Sequence, residues 1–397
     1  MTASGISKIG IGAIVKESSP ALLEWIAYHR VVGVERFWIA DNGCEATTRQ
    51  LLLDLDRLGI INYINFPSKF AKGSQLPAYK KILSCARDFG EVLAIIDADE
   101  FLVPEGDKTL RPYVEKRFSD KNVSAVALNW ATFGSNGALF AEDGLIIERF
   151  TRRAPQAFKP NRHIKSIVRP ERVKEFVDPH FATLRQGRYV DAAGNSLVKG
   201  YNPGISAQVF WEGVRVNHYV VKSLEEFLLG KHLAGSVMTP NSVKHKNYFI
   251  NLDRNDEECL LAARFAPLVH TEISRLNTKR AQLQSCLPLA NIQPYRSFKN
   301  TGGLQWIYTP QQSAATGGIV ADHAPTPILQ DPTFEQHRLL MEFSIFSEKL
   351  FRSSQYRLGS KIGSLIRTLL GRTEKRSLPE IRIRQAREQY RRLRGAP

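Results

Sequence analysis

Cysteine is scarce, and long apolar runs are missing. The 397-residue chain has four cysteines, Cys44, Cys85, Cys259 and Cys286, and no two of them form a C-x-x-C pair. That spacing argues against a cysteine zinc site or a disulfide scaffold and for free thiols in a reducing compartment. No stretch of 18 apolar residues occurs, which removes the usual signature of a membrane-spanning helix. The apolar run from Ile9 to Val15 is too short for a signal peptide and reads as a first strand. Internal repeats are also absent. At 43% hydrophobic and 24% charged residues, the composition is that of an ordinary globular protein with a sizeable core.

The charge that is present is unevenly placed. The net charge is +16, and Arg352–Arg394 alone holds thirteen Lys and Arg against three Glu, a net +10. A nucleic-acid enzyme would carry its excess across a working face, so this distribution points away from a nucleic-acid partner. Within the tail, Leu358, Ile362, Leu365, Ile366, Leu369 and Leu370 recur at helical spacing with Arg357, Lys361, Arg367 and Arg372 between them. Such a stripe suits an interfacial helix on an anionic membrane surface. It implies a cytoplasmic protein, peripheral on the inner face of the membrane.

The first 130 residues alternate between strand and helix. Strands are expected at Lys8–Val15, Arg36–Ala40, Ile61–Phe66, Val92–Ile96 and Val123–Trp130. Helices are expected at Pro20–Val32, Thr47–Leu58 and Gln75–Phe89. This order predicts an α/β fold with a mostly parallel sheet covered on both faces. The pattern is irregular from Trp130 to about Asn217, and helices are expected at Phe227–Gly235, Asp256–Leu283 and Phe334–Leu350. The expected organisation is a nucleotide-binding domain over residues 1–235, a helical extension over 236–299, a linker or mobile loop over 300–333, and a helix with a basic amphipathic tail over 334–397.

Asp97-Ala98-Asp99-Glu100 ends the fourth strand. Open α/β sheets bind ligands at the carboxyl ends of their strands. Two carboxylates one residue apart there can share Mn2+ or Mg2+, and oxygen ligands with substrate phosphates suit those ions. Lys16-Glu17 after strand one and Asp41-Asn42 after strand two would line the same edge, although Asp41-Asn42-Gly43 also reads as a plain turn.

Several spaced motifs then occur in order: EWIAYH on the first helix, DNG after strand two, DADEF, NWATFGSNG and NHYVVKS. The segment from about Lys8 to Lys231 resembles glycosyltransferase family 92 and related family-2-like bacterial enzymes of the GT-A fold. Lys16-Glu17-Ser18 matches the family's first motif only loosely. The resemblance implies metal-assisted sugar transfer, by an inverting route, from a nucleoside diphosphate sugar donor to a saccharide or lipid-linked acceptor in cell-surface polysaccharide synthesis. It implies Asp97, Asp99 and His218 as metal ligands. Donor-binding candidates are Lys16, Glu17, Asp41, Lys72, Ala98 and Lys222, and Lys69 could assist Lys72. Trp130, Phe133, Gly134 and Ser135 would meet the sugar or acceptor, or else form a core and a glycine turn. A catalytic base is not named by the sequence; Asp143, Asp178 and Glu212 are candidates. Arg162, His163, Lys165 and His180 would either bind an anionic acceptor or cover the domain edge. Trp25 and His29 read as structural. A sugar-nucleotide nucleotidyltransferase is disfavoured because Lys16-Glu17-Ser18-Ser19-Pro20 stands where a Gly-rich basic loop belongs. A non-catalytic lipid-binding scaffold is disfavoured by the Asp97, Asp99 and His218 set.

The tail reading has a direct test. Deleting residues from Arg352 onward should leave a folded protein that binds anionic vesicles more weakly, and added salt should loosen the full-length complex by screening. Equal vesicle binding by both proteins in a sedimentation assay would refute it.

Overall fold

The computed structural model describes residues 8–16, 21–67, 73–89, 92–106, 108–227, 230, 244, 246–286, 294–295 and 305–306. Glu17, Lys69, Lys72, most of the expected linker and all of 334–397, including the tail, lie outside the described residues. The chain divides into two compact units, Met1–Ile307 and Tyr308–Pro397, and every described residue belongs to the first.

The chain opens as an alternation of β1 (Ile9–Val15), α1 (Leu22–Val31), β2 (Arg36–Asp41), α2 (Ala46–Arg57), β3 (Asn62–Asn65), α3 (Gln75–Ala86) and β4 (Val92–Ile95). There follow β5 (Glu100–Pro104), α4 (Arg111–Phe118), β6 (Val123–Thr132), α5 (Ile146–Arg149), β7 (Arg152–Arg153), β8 (Ile164–Val168), β9 (Val173–Phe176), β10 (Ala182–Leu184) and β11 (Arg188–Val190). The last described elements are β12 (Val214–His218), α6 (Leu224–Phe227), α7 (Lys246–Leu252), β13 (Glu257–Glu258), α8 (Ala266–Cys286), and the short pair β14 (Pro294–Tyr295) and β15 (Gln305–Trp306).

One nine-stranded sheet runs β3-β2-β1-β4-β8-β6-β12-β5, with β11 paired to β6. β1 to β4 are parallel. β8 is antiparallel to both β4 and β6, so β6 shares their direction, as do β11 and β12. Only β8 and β5 run the other way. The fold is therefore the expected α/β arrangement with a mostly parallel sheet. The carboxyl ends of β1, β2, β4, β6 and β12 share one edge.

Alternation along β1 shows how the helices settle. Ile9, Ile11, Ala13 and Val15 face the cluster built with α1 and α2. Gly10 and Gly12 face the other way. A Cβ on Gly12 would lie 2.5 Å from the Ile82 side chain and 2.7 Å from Ile95. These missing side chains let α3 lie close on that face.

Two differences from the sequence expectation have physical reasons. β5 was not separated from the run after the acidic turn, because all five of its residues are buried and show no alternation. The helix expected from Asp256 starts at Ala266; the segment before it pairs as β13 with β7 and then coils. α8 packs on α1 and α2, where Arg30 meets Glu272 at 2.6 Å and Arg280 meets Asp54 at 3.3 Å.

The first helix does more than pack. Trp25 Nε1 donates to the Glu100 carbonyl at 2.7 Å, and Tyr28 Oη donates to the Leu102 carbonyl at 3.3 Å. The Leu102 N–H donates to His29 Nε2 at 3.1 Å, so His29 Nδ1 carries the proton toward the Trp25 carbonyl at 2.8 Å. EWIAYH thus fastens the strand that follows the acidic turn.

Burial lowers the His29 pKa to about 3 from an ordinary 6.5. Neutral His29 therefore contributes stability that is complete above pH 6.5 and is lost as pH falls toward 3, at up to about 1.4 kcal/mol per pH unit. The unfolding midpoint should drop more steeply from pH 6.5 to 4.5 in the wild type than in His29→Gln. Superimposable profiles in denaturant titrations would contradict a buried neutral imidazole.

Candidate functional site

The site forms where β4 ends. Residues 97–100 make a tight turn, with the Glu100 N–H donating to the Asp97 carbonyl at 3.0 Å. Glu100 is fully buried beneath it. Its Oε2 accepts the Asp97 N–H at 2.8 Å, and its Oε1 accepts the Trp130 indole N–H at 2.7 Å. Burial pushes the Glu100 carboxyl above the usual carboxylate range, against the pull of Lys165.

β12 pairs antiparallel with β5 and parallel with β6, setting His218 beside both Glu100 and Thr132. The Tyr219 N–H donates to the Asp99 carbonyl at 3.0 Å. His218 Nε2 consequently lies 3.6 Å from Asp99 Oδ2. Two ligands about 2.1 Å from one ion, at octahedral to tetrahedral angles, stand about 3.0–3.5 Å apart. At 3.6 Å the carboxylate and the imidazole stand just beyond that spacing, near enough for both to reach one divalent cation after a small shift. Among the described residues, no group of three or more His, Cys, Asp or Glu is placed to hold a metal, so phosphate or water oxygens would complete the shell.

Asp97 is differently engaged. Its Oδ2 accepts from Lys165 Nζ at 2.8 Å, and its Oδ1 accepts from Gln75 Nε2 at 2.9 Å and Tyr79 Oη at 3.4 Å. Burial opposes the charge on Lys165, but Asp97 and Glu100 outweigh it and hold the ammonium well above its ordinary range. Ala98 is half-buried between the two aspartates.

Trp130 sits among imidazoles. Its ring stacks on His163 at 4.6 Å and lies 4.2 Å from His218 and 5.3 Å from His180. Burial lowers the pKa of both His163 and His180, keeping them neutral. One face of Trp130 is thus already covered. Phe133 and Ser135 are 1% exposed. The Phe133 N–H donates to the His218 carbonyl at 3.0 Å, and the Ser135 N–H donates to Asp253 Oδ1 at 2.6 Å. The strap at 253–255 lies so close to Gly134 that a Cβ there would overlap the Arg254 carbonyl. This loop is clamped rather than open, and Asp253 and Asn255, which clamp it, carried no motif that could have announced them.

The remaining candidates scatter. Lys16 is half-buried at the end of β1. Asp41 Oδ1 accepts from the Gly43 and Cys44 N–H groups, and Oδ2 accepts from Arg49 Nε and Tyr63 Oη, both at 2.9 Å. That carboxylate serves its own turn. Neighbouring Asn42 is 5% exposed, and its Oδ1 is buried without a hydrogen-bond partner. Lys222, at φ 54°, acts electrostatically on buried Glu24 and on Glu226. Asp178 is half-buried, and its Oδ1 accepts from the His180 and Phe181 N–H groups. Asp143 is exposed. Glu212 is exposed ahead of β12, whose other end bears His218, about 20 Å away at strand rise.

Residues 14–193 match the family model Glycosyltransferase family 92. The resemblance read from the motifs is therefore shown over that segment. A glycosyltransferase family 92 protein of Oryza sativa subsp. japonica is 27% identical over 194 residues, covering 47% of this chain and 32% of the relative. A family 92 protein of Ricinus communis is 29% identical over 219 residues, covering 53% of this chain and 38% of the relative. The chain thus spans about a third of the length of these curated relatives. Among solved structures, S. aureus TarS 1-349 is similar at 13% identity and a TM-score of 0.30, covering 75% of this chain and 98% of that one. That likeness is too loose to carry an argument.

Asp41→Ala would leave Arg49 and three other donors facing an empty site. It should destabilise the fold by about 3–5 kcal/mol. An unchanged melting temperature in calorimetry would show that the turn does not depend on this carboxylate.

Proposed function

We infer that this chain is a glycosyltransferase that moves a sugar from a nucleoside diphosphate sugar to a saccharide or lipid-linked acceptor. The observation that carries the reading is the Asp99–His218 pair, 3.6 Å apart at the carboxyl edge of a mostly parallel sheet. The family match over residues 14–193 supports it independently.

In this reading Asp99 and His218 would hold Mn2+ or Mg2+. A bound divalent cation supplies counter-charge to the leaving nucleoside diphosphate. The chain's own residues do the rest. Asn42, buried at the ends of β1 and β2 with an unpartnered oxygen, offers an acceptor to an N–H of the donor's base. Glu100 and Trp130 hold the turn that presents Asp99. A base for the acceptor hydroxyl would come from the carboxylates near the imidazole cluster, where Asp178 stands. The tail would bring the enzyme to an anionic membrane surface, where lipid-linked acceptors of cell-surface polysaccharide synthesis reside.

Asp99→Ala should leave circular dichroism unchanged and cut nucleoside diphosphate release from the donor about 100-fold or more, roughly 2.7 kcal/mol of barrier. Full turnover by a folded Asp99→Ala protein, with the same cation requirement, would remove Asp99 from the site.

A further inference from the structure

Two segments beside the carboxyl edge carry cations and no acid. Residues 154–169 hold Lys159, Arg162, Lys165 and Arg169, residues 192–211 hold Lys199, and neither segment contains Asp or Glu. Lys165 is matched by Asp97. Among the described residues, Lys159, Arg162 and Lys199 have no ion pair. Residues 198–207 fold back as a hairpin, with the Gly200 N–H donating to the Ile205 carbonyl at 2.6 Å and the Ala207 N–H to the Val198 carbonyl at 2.8 Å. The hairpin is tied to the start of β8, where the Ile164 N–H donates to the Gly204 carbonyl at 3.1 Å and the Ser206 N–H to the Arg162 carbonyl at 2.9 Å. Its glycines permit close approach. A Cβ on Gly204 would lie 2.7 Å from the His180 Cβ, and one on Gly200 would lie 2.8 Å from Arg162 Nη2. The Arg162 guanidinium is therefore seated against Gly200, whose chain neighbours are Lys199 and Tyr201. Tyr201 is 68% exposed, with Lys159 Nζ 6.0 Å from its ring centroid. His163 Nδ1 and His180 Nδ1 donate to the Pro160 and Ile164 carbonyls at 2.9 and 3.0 Å. That fixes the tautomer of both neutral rings and leaves each Nε2 as an acceptor.

We propose that the 198–207 hairpin and the His163–His180 pair form the acceptor subsite, and that it takes a saccharide bearing a phosphate or carboxylate group. A sugar is an array of hydroxyl donors, which suits two imidazole acceptors. Its C–H face suits the open ring of Tyr201, an exposed aromatic with little packing of its own. Arg162, Lys159 and Lys199 supply the counter-charge, and a guanidinium can grip an anionic group through two N–H donors. The subsite adjoins the reacting edge, because both imidazoles lie against Trp130, whose ring is 4.2 Å from that of His218. The proposal deepens the glycosyltransferase reading above and rests on it for the role of the bound sugar.

The test is saturation-transfer NMR on the full-length protein in chelator, with glucose 1-phosphate, glucuronate and glucose presented separately. At least one of the two anionic sugars should bind about fivefold tighter than glucose or better. A response to glucose 1-phosphate alone identifies a phosphate-bearing acceptor, and an equal response to glucuronate identifies an acidic saccharide. Lys159→Ala combined with Lys199→Ala should weaken the anionic sugar about fivefold and leave glucose unchanged. Tyr201→Ala should weaken all three sugars about tenfold, and Tyr201→Phe should restore them, because the ring rather than the hydroxyl makes the contact. Lys159, Lys199 and Tyr201 are exposed, so these variants should melt with the wild type. Equal affinity for the three sugars, or indifference to the lysine variant, would overturn the proposal and leave the glycosyltransferase reading intact. Tyr201-dependent binding to phosphatidylglycerol vesicles without any sugar response would also overturn it and make the hairpin a lipid contact. Sugar binding as expected, in a protein that releases nucleoside diphosphate from no donor, would remove the transferase reading and leave an anionic-saccharide site.

Discussion

Three hydrogen bonds from the first helix to the strand after the acidic turn hold the active edge in place. Trp25 reaches the Glu100 carbonyl, Tyr28 the Leu102 carbonyl, and His29 accepts from the Leu102 N–H. All are buried, so water cannot replace them, and each would leave a main-chain group unsatisfied if lost. Because they grip backbone, they fix β5 in register. β5 in turn pairs with β12, and that pairing delivers His218 to Asp99. A helix with no ligand role of its own therefore sets the geometry of the pair on which the proposed chemistry rests.

Electrostatics completes what the backbone begins. Four carboxylates and one ammonium could have made an unstable, strongly acidic edge. Instead Asp41 is consumed by its own turn and Arg49, Asp97 by Lys165, and Glu100 by Trp130 and the Asp97 N–H. Asp99 lies across from the imidazole of His218 at 3.6 Å. The site's charge is thus shaped as much by what is neutralised inside the protein as by what faces a ligand.

Much of this fold was legible from sequence. Runs such as VLAII and KIGIGAIV are buried on both faces, and their continuous apolar character with intervening amphipathic helices announced a parallel sheet. The motif order placed Asp99 and His218 together across more than a hundred residues. What stayed hidden was long-range partnership. Nothing local to His29 shows that its second nitrogen meets Leu102, and nothing in the 253–255 segment shows that it clamps Gly134 and Ser135. Phe133 and Ser135 read either as sugar contacts or as core and turn, and the structure shows Phe133 buried and the Ser135 N–H held by Asp253. Lys165 read as one cation in a basic segment, because its significance lies in its burial, which composition does not reveal.

The claim that this edge transfers sugar from a nucleotide is tested most directly by presenting the purified full-length protein with a panel of nucleoside diphosphate sugars, with Mn2+ and again with chelator, and measuring free nucleoside diphosphate. The account predicts release from one donor class, dependent on the cation and accelerated by a suitable acceptor. Release that is indifferent to chelator, or pyrophosphate-dependent formation of a nucleoside triphosphate in its place, would contradict it.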